Sequence, residues 1–591
     1  MQITKKFVQR AVDPSIYQQA AGLGLTELQS LIVAGRITHP TDDLKHVVSP
    51  SLLCLKHPEI LKDCLKASER IAEAIIDKKT IGIVTDYDVD GICSHALTVE
   101  AFDHFCVPRS HIQSFIGHRL EDGYGLSVNV AYRILASEVV PDIVITADCG
   151  ISDQHRIEIL GKRGIDVIVT DHHAVPPEGI PVSSYAVVNP CRKDCPYPDK
   201  SISGCMVTWL VMCQVRNVLI EKGWLPENNQ KLGFLLDYVA LSTIADAVAL
   251  SSPANRAVVL HGLHEINYSE KPAWKALAQL CGLKSNGVCQ FSVEDLGFQI
   301  GPRINAQGRV DHGLVAVEFF LSKNLEDAFQ LLAILDTNNQ KRQSIEKEMV
   351  EKAEIQARKM YTTEKNSLVI SDASFHAGIQ GIVASRLLDT FGIPTVILSP
   401  MPDSNLLAGS ARTTPSIHIR NVLQEVADRF PGIICEFGGH RGAAGVKIES
   451  DNLDTFDKAF ESVISEKIKN EEIGPIVLTD GELPKISLNM KILEEIRAIE
   501  PYGNKFEQPV FEGVFRVKEM RILGKEPIHL SLTLEKENEQ YKAIWFRALK
   551  KPDYDVPFNI EDTIRCVYKL KLNVFMGKSD LQLIVVHAQG S

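Results

Sequence analysis

The segment DYDVDG at 86–91 places three carboxylates, Asp86, Asp88 and Asp90, two residues apart. Like charges at this spacing repel one another at neutral pH, and bound cations would turn that repulsion into binding energy. Mg²⁺ and Mn²⁺ prefer oxygen ligands in octahedral geometry. The alternatives are a solvated acidic turn and a calcium loop, but an EF-hand loop needs a Glu at its twelfth position, which is Leu97 here. The pattern therefore favours a divalent-metal site.

Three further groups could complete such a site. Asp148, in TADCG, follows an apolar run, although a lone Asp at this place more often caps a helix. In the triplet Asp171, His172 and His173, imidazole suits Mn²⁺ or Zn²⁺ and the carboxylate can orient it; a surface polar turn is the alternative. Asp246 is one charge inside an apolar stretch, where the alternative is a structural ion pair. Together these groups could hold two cations ~3.5–4 Å apart, which supports phosphoryl displacement.

Short apolar runs precede three of the four groups: IGIVT at 81–85, PDIVITADCG at 141–150 and IDVIVTDHH at 165–173. Continuously apolar strands that alternate with helices predict a parallel sheet covered on both faces. Ligands of such sheets bind outside the carboxyl ends of the strands. We therefore expect the three acidic groups to project at one edge of the sheet.

The sequence pattern changes twice in the rest of the chain, which indicates further domains. Residues 325–360 contain neither Pro nor Gly and predict a long connecting helix. A second α/β pattern starts at 366–371 and ends in the glycine-rich 437–445, and about five short strands after Pro475 predict a small barrel, most naturally an OB-fold. The predicted fold class is thus α/β with a C-terminal β-barrel. The predicted domains are an N-terminal helical segment (1–75), a parallel-sheet catalytic domain (76–310), connecting helices (311–365), a smaller α/β domain (366–470) and the barrel (471–591).

Composition adds weaker constraints. The net charge of −12 argues against strong non-specific duplex binding but does not exclude a locally basic channel. The uncharged stretch 201–215 is shorter than the ~20 apolar residues that span a bilayer, and the N-terminus lacks the apolar region of a signal peptide. The thirteen cysteines include no C-x-x-C pair, so we expect reduced thiols in a cytoplasmic protein without membrane association.

The four acidic motifs, in this order, resemble those of the DHH phosphoesterase superfamily. Further segments resemble the RecJ exonuclease branch, and the resemblance runs from about residue 20 to the C-terminus. These segments are EDGYGLS (121–127), VVNPCRKDCPYP (187–198), GPRINAQGR (301–309), HAGIQGIVASRL (376–387), GSARTTPSIHI (409–419), FGGHRGAAG (437–445) and IEPYGNKFEQPVF (499–511). The 76–310 domain would then be the DHH domain and 366–470 the DHH-associated domain.

The resemblance implies two divalent cations, Mn²⁺ or Mg²⁺, that share Asp148 as a bridging ligand. One would be bound by Asp86, Asp88 and Asp148, and the other by Asp90, Asp148, His172 and Asp246.

The resemblance also assigns His173 to the scissile phosphate and Asp171 to orienting the histidines. Cys149 stands where many relatives have Asn, and Ala249 where a proline is frequent, so the residues around the ligands differ from those of such relatives.

The implied contacts to substrate phosphate or DNA are Arg303, Asn305, Arg309, His376, Ser410, Arg412, Gly439 and His440. An arginine can form bidentate hydrogen bonds with phosphate oxygens, and a serine hydroxyl can donate a hydrogen bond to them. Glycines next to a histidine let backbone amides approach an anion. The alternatives are surface ion pairs for the arginines and a tight turn for the glycines.

The implied function is a single-stranded-DNA-specific 5′→3′ exonuclease that releases 5′ mononucleotides in DNA repair and recombination. Its substrate partner would be single-stranded DNA with a 5′ end. A single-strand-binding protein and a helicase would be candidate protein partners. We expect the protein to be a monomer. In the barrel, Tyr541, Trp545 and Phe546 could stack on bases, but Trp545 and Phe546 are adjacent, so one of them must face the core. The alternatives are a DHH phosphodiesterase of short oligonucleotides or cyclic dinucleotides, and a non-catalytic repair scaffold.

Overall fold

A computed structural model describes residues 5–37, 43–118, 122–285, 288–310, 313–362, 364–402, 404–468, 475–483, 488–524, 527–549, 556–575 and 578–590. For residues 285, 309, 310, 574, 575, 578 and 579 it describes the backbone alone. The chain forms two compact units. Unit 1 comprises 1–35, 342–498 and 508–591, and unit 2 comprises 36–341 and 499–507. In the described part of the chain, no helix combines the length and apolarity that crossing a membrane requires.

The strands of the described residues, in chain order, are β1 (Lys6–Gln9), β2 (Ile81–Thr85), β3 (Ile112–Ile116), β4 (Ile143–Ala147), β5 (Asp166–Thr170), β6 (Ala186–Val188), β7 (Lys284–Ser285), β8 (Val288–Cys289), β9 (Leu368–Ser371), β10 (Thr395–Pro400), β11 (Leu406–Arg412), β12 (Ile434–Gly439), β13 (Ala443–Glu449), β14 (Ile476–Thr479), β15 (Phe511–Leu523), β16 (His529–Lys536), β17 (Glu539–Trp545), β18 (Thr563–Phe575) and β19 (Lys578–Gly590).

The α-helices are α1 (Pro14–Gly22), α2 (Glu27–Ala34), α3 (Leu44–Val48), α4 (Cys64–Ile76), α5 (Val89–His104), α6 (Val128–Leu135), α7 (Gln154–Gly161), α8 (Gly204–Glu221), α9 (Leu236–Ala245), α10 (Pro253–Asn267), α11 (Pro272–Leu280), α12 (Val293–Asp295), α13 (Gly301–Val310), α14 (Leu314–Phe320), α15 (Leu325–Met360), α16 (Gln380–Phe391), α17 (Ile419–Arg429), α18 (Leu453–Ile468) and α19 (Met490–Arg497).

Unit 2 is built on a parallel five-stranded sheet in the order β3-β2-β4-β5-β6. Every residue of β2 and β4 is buried, which explains their uninterrupted apolar sequence. Thr85 pairs with Ala147 and Ala147 with Thr170, so the last residues of the three central strands lie side by side. The predicted parallel sheet is confirmed, and its register brings the three acidic groups to one edge.

A long helix, α15, covers 325–360 as predicted. Within unit 2 its first half is attached to α13 by an ion pair between Arg303 and Asp336 at 2.9 Å and by a hydrogen bond from Asn338 to Gln307 at 2.8 Å. The absence of Pro and Gly lets the backbone hydrogen bonds run without interruption.

Unit 1 contains a mixed sheet and a barrel. The mixed sheet has the order β12-β13-β11-β10-β9, with β9 and β10 parallel and the other pairs antiparallel. The barrel closes in the order β15-β16-β17-β19-β18, as expected for an OB-fold. Trp545 is buried, whereas Phe546 is 55% exposed, so Trp545 is the core residue of the adjacent pair.

One prediction for the N-terminal segment is wrong. Residues Lys6–Gln9 form a strand, not a helix, and this strand pairs in parallel with β14 (Ile476–Thr479). The partner strand lies more than 450 residues away in the sequence, so no local pattern indicates the pairing.

Candidate metal centre

Asp86, Asp148 and Asp171 each follow directly the last residue of a central strand, β2, β4 and β5 respectively. All three carboxylates are buried. Because the strands are parallel and in register, the side chains converge at the carboxyl edge of the sheet, where open α/β sheets bind ligands.

The DYDVDG segment is a strand-to-helix turn and not only a loop. Asp88 is the N-cap of α5, and its carboxylate accepts hydrogen bonds from the amides of Asp90 at 2.9 Å and Gly91 at 3.1 Å. Asp90 lies in the first turn of this helix. A Cβ at Gly91 would overlap the carbonyl oxygen of Asp86, so only glycine fits the closing position of the motif.

Asp90 is held by three hydrogen bonds of 2.7 Å each. The amides of Gly204 and Cys205, at the N-terminus of α8, and the hydroxyl of Ser242 all donate to its carboxylate. A helix N-terminus presents free amides and a positive dipole end, and it stabilises the buried negative charge. Asp90 is therefore fixed before any cation binds.

Asp148 has an unusual backbone. Its φ is +59°, a left-handed conformation that is uncommon for a residue other than glycine and typical of functional sites. Helix α8 approaches so closely that a Cβ on Gly204 would lie 2.8 Å from Asp148 Oδ1. Asp148 does not cap the following helix, because α7 begins after Asp153.

Asp171 organises the two histidines. Its Oδ1 accepts hydrogen bonds from the amides of His172 at 2.7 Å and His173 at 3.0 Å and from His173 Nδ1 at 2.7 Å, while Oδ2 accepts from the amide of Ile151 at 2.9 Å. Burial alone would raise the pKa of Asp171, but the hydrogen bonds and positive charge of His173 hold it below its ordinary value. Burial opposes protonation of His173, yet Asp171 raises the pKa of His173 to about 9.

His172 has a ring nitrogen that faces only carboxylates. Its Nδ1 lies 2.9 Å from the carbonyl oxygen of Ile202, which can only accept, so Nδ1 carries the proton. Its buried Nε2 has no hydrogen-bond partner among the described residues and lies 3.2 Å from Asp148 Oδ1, 3.7 Å from Asp90 Oδ2 and 3.8 Å from Asp246 Oδ2. A lone pair directed at carboxylate oxygens is repulsive unless a cation lies between them.

The ligand atoms gather in three overlapping groups, within each of which they lie within 4.8 Å of one another. The groups are Asp86, Asp88 and Asp148; Asp90, His172 and Asp246; and Asp148, His172 and His173. The first group has the residues that the sequence resemblance implies for one cation, and the second has those implied for the other except Asp148. Asp148 belongs to the first and third groups.

Electrostatics also favour bound cations. Burial, followed by repulsion from Asp90, raises the pKa of Asp88, Asp148 and Asp246, that of Asp246 to about 8. Carboxylate oxygens with one imidazole nitrogen suit Mn²⁺ and Mg²⁺, so the residues fit a pair of divalent ions. The side chain of Asp246 is 34% exposed and lies at the C-terminal end of α9.

Sequence reasoning missed several residues of the site. Tyr124 donates to the carbonyl oxygen of Asp148 at 2.8 Å, and the Asn189 amide donates to the carbonyl oxygen of His173 at 2.9 Å. Both residues lie in segments that resemble RecJ, and this resemblance could have indicated that they belong to the site. Gly204 and Ser242 are defined only by their contacts with Asp148 and Asp90, and nothing in their local sequence indicates them.

Helix α13, with the sequence GPRINAQGRV, packs on the DYDVDG turn. Asn305 accepts a hydrogen bond from the amide of Val89 at 3.0 Å, and Gly308 packs against the Tyr87 carbonyl, which a Cβ would approach to 2.6 Å. Arg303 is engaged by Asp336 and by the Gln299 carbonyl oxygen at 2.6 Å. The predicted DNA contacts of Arg303 and Asn305 stay predictions, and the side chain of Arg309 lies outside the described residues.

The other residues predicted to contact phosphate all lie in unit 1. Arg412 Nη1 donates to Ser410 Oγ at 2.7 Å, and a Cβ on Gly381, in the first turn of α16, would lie 3.2 Å from Ser410 Oγ. Across the sheet Ser410 pairs with Gly445 and Arg412 with Ala443.

Gly439 and His440 lie at the turn between β12 and β13. Gly439 has a φ of +142° and pairs with Ala444, the neighbour of Ala411 on β11. His376 precedes α16, and its Nδ1 accepts from the Gly378 amide at 3.1 Å. The three motifs HAGIQG, GSAR and FGGHRG therefore lie on neighbouring elements.

Family comparisons define the class of protein. The model of the DHH family, N-terminal domain, matches residues 80–243, that of the DHHA1 domain matches 364–466, and that of the RecJ OB domain matches 479–587. The fold and the acidic site are thus those of a DHH phosphoesterase that carries a DHHA1 and an OB domain.

Whole-chain relatives narrow the class. The chain is 34% identical over 548 residues to the single-stranded-DNA-specific exonuclease RecJ of Dickeya dadantii, covering 91% of this chain and 92% of the relative. It is 33% identical to the protein of the same name from Escherichia coli, covering 88% and 89%. The chain belongs to the RecJ family.

Solved structures agree on the fold. The crystal structure of RecJ in complex with Mn²⁺ from Thermus thermophilus matches 99% of this chain and 80% of its own with a TM-score of 0.77 at 24% identity. A crystal structure of exonuclease RecJ bound to manganese is 27% identical and matches 69% of this chain and 97% of its own, with a TM-score of 0.56.

Proposed function

We propose that this protein is a metal-dependent exonuclease specific for single-stranded DNA, which removes 5′ mononucleotides from 5′ ends in DNA repair and recombination. The observation that carries the proposal is the environment of His172 Nε2, a lone pair surrounded by three carboxylates at the carboxyl edge of the parallel sheet. Membership of the RecJ family supplies the substrate class.

Asp86, Asp88 and Asp148 would hold one divalent cation, Mn²⁺ or Mg²⁺. Asp90, His172 and Asp246 would hold the other, with Asp148 shared. When bound, such a pair lowers the pKa of water and neutralises the attacking and leaving oxygens of a phosphodiester displacement.

His173 is the residue proposed to contact the scissile phosphate. Its Nδ1 is committed to Asp171 at 2.7 Å, so the ring is held in one orientation. The Tyr124 hydroxyl lies 3.3 Å from the ring nitrogens. A protonated imidazole here donates to a phosphate oxygen and offsets its negative charge.

The proposed 5′ polarity rests on Arg412 and Ser410. The arginine side chain lies against Gly381 in the first turn of α16, where the helix dipole favours an anion and disfavours a cation alone. A terminal phosphate at this place would satisfy the guanidinium, the hydroxyl and the helix amides together. Recognition of a terminal phosphate would direct cleavage to the 5′ end.

The barrel is proposed to bind the rest of the strand. Phe546 is exposed and packs edge-on against His529, with the ring centroids 5.5 Å apart. Exposed aromatic rings stack on unpaired bases without sequence preference. A single-strand-binding protein and a helicase are the protein partners proposed, by resemblance to the RecJ family.

The test compares nucleotide release from 5′-labelled and 3′-labelled single strands with Mn²⁺, Mg²⁺ or chelator. We expect early release of the 5′ label as a mononucleotide, dependence on the divalent ion, and loss of activity in Asp88→Ala and His172→Ala. Near-normal cleavage by either variant would contradict the proposal. Faster hydrolysis of a dinucleotide than of a long 5′-phosphorylated strand would support the short-oligonucleotide phosphodiesterase instead.

A further inference from the structure

Residues 499–507, which we call the strap, have an unusual place in the chain. They belong to unit 2, although the residues on both sides of them belong to unit 1. The strap makes a tight turn in which the amide and carbonyl groups of Gly503 and Phe506 exchange hydrogen bonds of 3.0 and 3.1 Å. After residue 341, the chain therefore returns to unit 2 only for this turn and then continues into the barrel.

The strap binds the loop that follows Asp246. The side-chain amide of Asn504 donates to the carbonyl oxygen of Ala247, and the Leu250 amide donates to the Asn504 carbonyl oxygen at 2.7 Å. Ala247, directly after Asp246, has a φ of +51°, which is rare for alanine and persists only when surrounding contacts hold it. Asn504 supplies such contacts at the carbonyl oxygen of Ala247 and at the amide of Leu250, three residues later.

A buried arginine fixes the strap. Arg256 is fully buried, and its guanidinium donates to the carbonyl oxygens of Pro501 at 2.8 Å and Ile499 at 2.7 Å and lies 4.0 Å from the Phe506 ring. No carboxylate of the described chain pairs with it. The guanidinium also donates to the carbonyl oxygens of Val47 and Leu250, so the strap supplies two of its four carbonyl partners. Departure of the strap would leave a buried cation with half of these hydrogen bonds, so the strap is strongly held.

Asp246 depends on this loop for its position more than Asp90 depends on its own surroundings. No described residue donates a hydrogen bond to its carboxylate, whereas Asp90 receives three. Its backbone conformation alone therefore sets where Oδ2 lies relative to His172 Nε2, 3.8 Å away. Whatever fixes the loop fixes the ligand.

The geometry points to Asn504 as a positioning residue that holds Asp246 in place for the cation shared with Asp90 and His172. This inference rests on the proposed metal function. It also means that the segment leading into the barrel is a structural part of the metal centre.

The test measures Mn²⁺ binding to the full-length chain by the electron paramagnetic resonance signal of free Mn²⁺. Asn504→Ala is suitable because the residue is exposed and the fold does not depend on its burial. The variant removes the side-chain bond to Ala247 and keeps the backbone bond from Leu250. Loss of the groups that orient a metal ligand costs ~10–100-fold in metal affinity, so we expect one of the two ions to bind about tenfold more weakly. The Mn²⁺ concentration for half-maximal nuclease activity should rise in parallel, with recovery at saturating Mn²⁺.

Asn267→Ala is the matched control. Its amide also donates to a backbone carbonyl in unit 2, that of Phe291 at 3.0 Å, but in another loop. This variant should lower the thermal unfolding temperature in EDTA without changing Mn²⁺ affinity. Wild-type Mn²⁺ binding by Asn504→Ala, or equal weakening in both variants, would overturn the inference. Absence of Mn²⁺ binding by the wild-type chain would instead overturn the proposed function and the inference with it.

Discussion

Gly204→Ala should disable the metal centre while leaving the fold intact. The added Cβ would lie 2.8 Å from both Cβ and Oδ1 of Asp148 and 2.9 Å from its Cα. Carbon atoms in contact ordinarily lie ~3.5–4.0 Å apart, so the two groups must separate by roughly 0.7–1.2 Å. Asp148 cannot yield by changing its rotamer alone, because its Cα and Cβ are themselves too close. The proposed bridging ligand must therefore move by about 1 Å.

A misplacement of about 1 Å in an active site can cost ~10²-fold in rate, whereas overpacking costs ~1–3 kcal/mol of stability. We expect kcat at saturating Mn²⁺ to fall about 100-fold, measured as nucleotide release from a 5′-phosphorylated single strand. Circular dichroism should show an unchanged fold. Gly161→Ala is the control, since a Cβ there meets nothing within 4 Å. If the Gly204→Ala enzyme has a turnover within about threefold of wild type, the close approach of α8 to Asp148 is not required for catalysis, and the reasoning is refuted.

Two further predictions concern charge. Burial and mutual repulsion raise the pKa of Asp88, Asp148 and Asp246, that of Asp246 to about 8. These three carboxyl groups therefore bind more protons in the metal-free folded chain than in the unfolded chain between about pH 4 and pH 8. The unfolding temperature of the chain in EDTA should therefore fall as the pH rises through this window, and Mn²⁺ should abolish the fall. An unfolding temperature that stays constant or rises with pH in scanning fluorimetry would contradict this prediction. Arg412→Lys should reduce the preference for 5′-phosphorylated over 5′-hydroxyl strands by roughly 10- to 100-fold, since it removes a charge-assisted bond worth ~1.5–3 kcal/mol and each 1.4 kcal/mol is about tenfold. An unchanged ratio of kcat/KM for the two strands would argue against the anchor.

The sequence predicts best what local patterns determine. Helix α15 is predicted at both of its ends because an uninterrupted run of good helix formers determines it locally. Asp86, Asp148 and Asp171 are found because each directly follows an apolar strand, and parallel strands bring their carboxyl ends together.

Contacts between distant segments are what the sequence does not reveal. Gly204 and Ser242 belong to the site only because α8 and α9 pack against its aspartates. Strand β1 was missed because its partner strand is distant in sequence. The roles of the individual ligands and phosphate contacts stay predictions.

Anomalous diffraction at the manganese edge, from crystals of the chain soaked in Mn²⁺, tests the central claim most directly. The account predicts two peaks per chain. One lies within bonding distance of Asp86, Asp88 and Asp148, and the other within bonding distance of His172 Nε2 and the carboxylates of Asp90 and Asp246. A single peak away from His172, or no peak at this edge of the sheet, would contradict it.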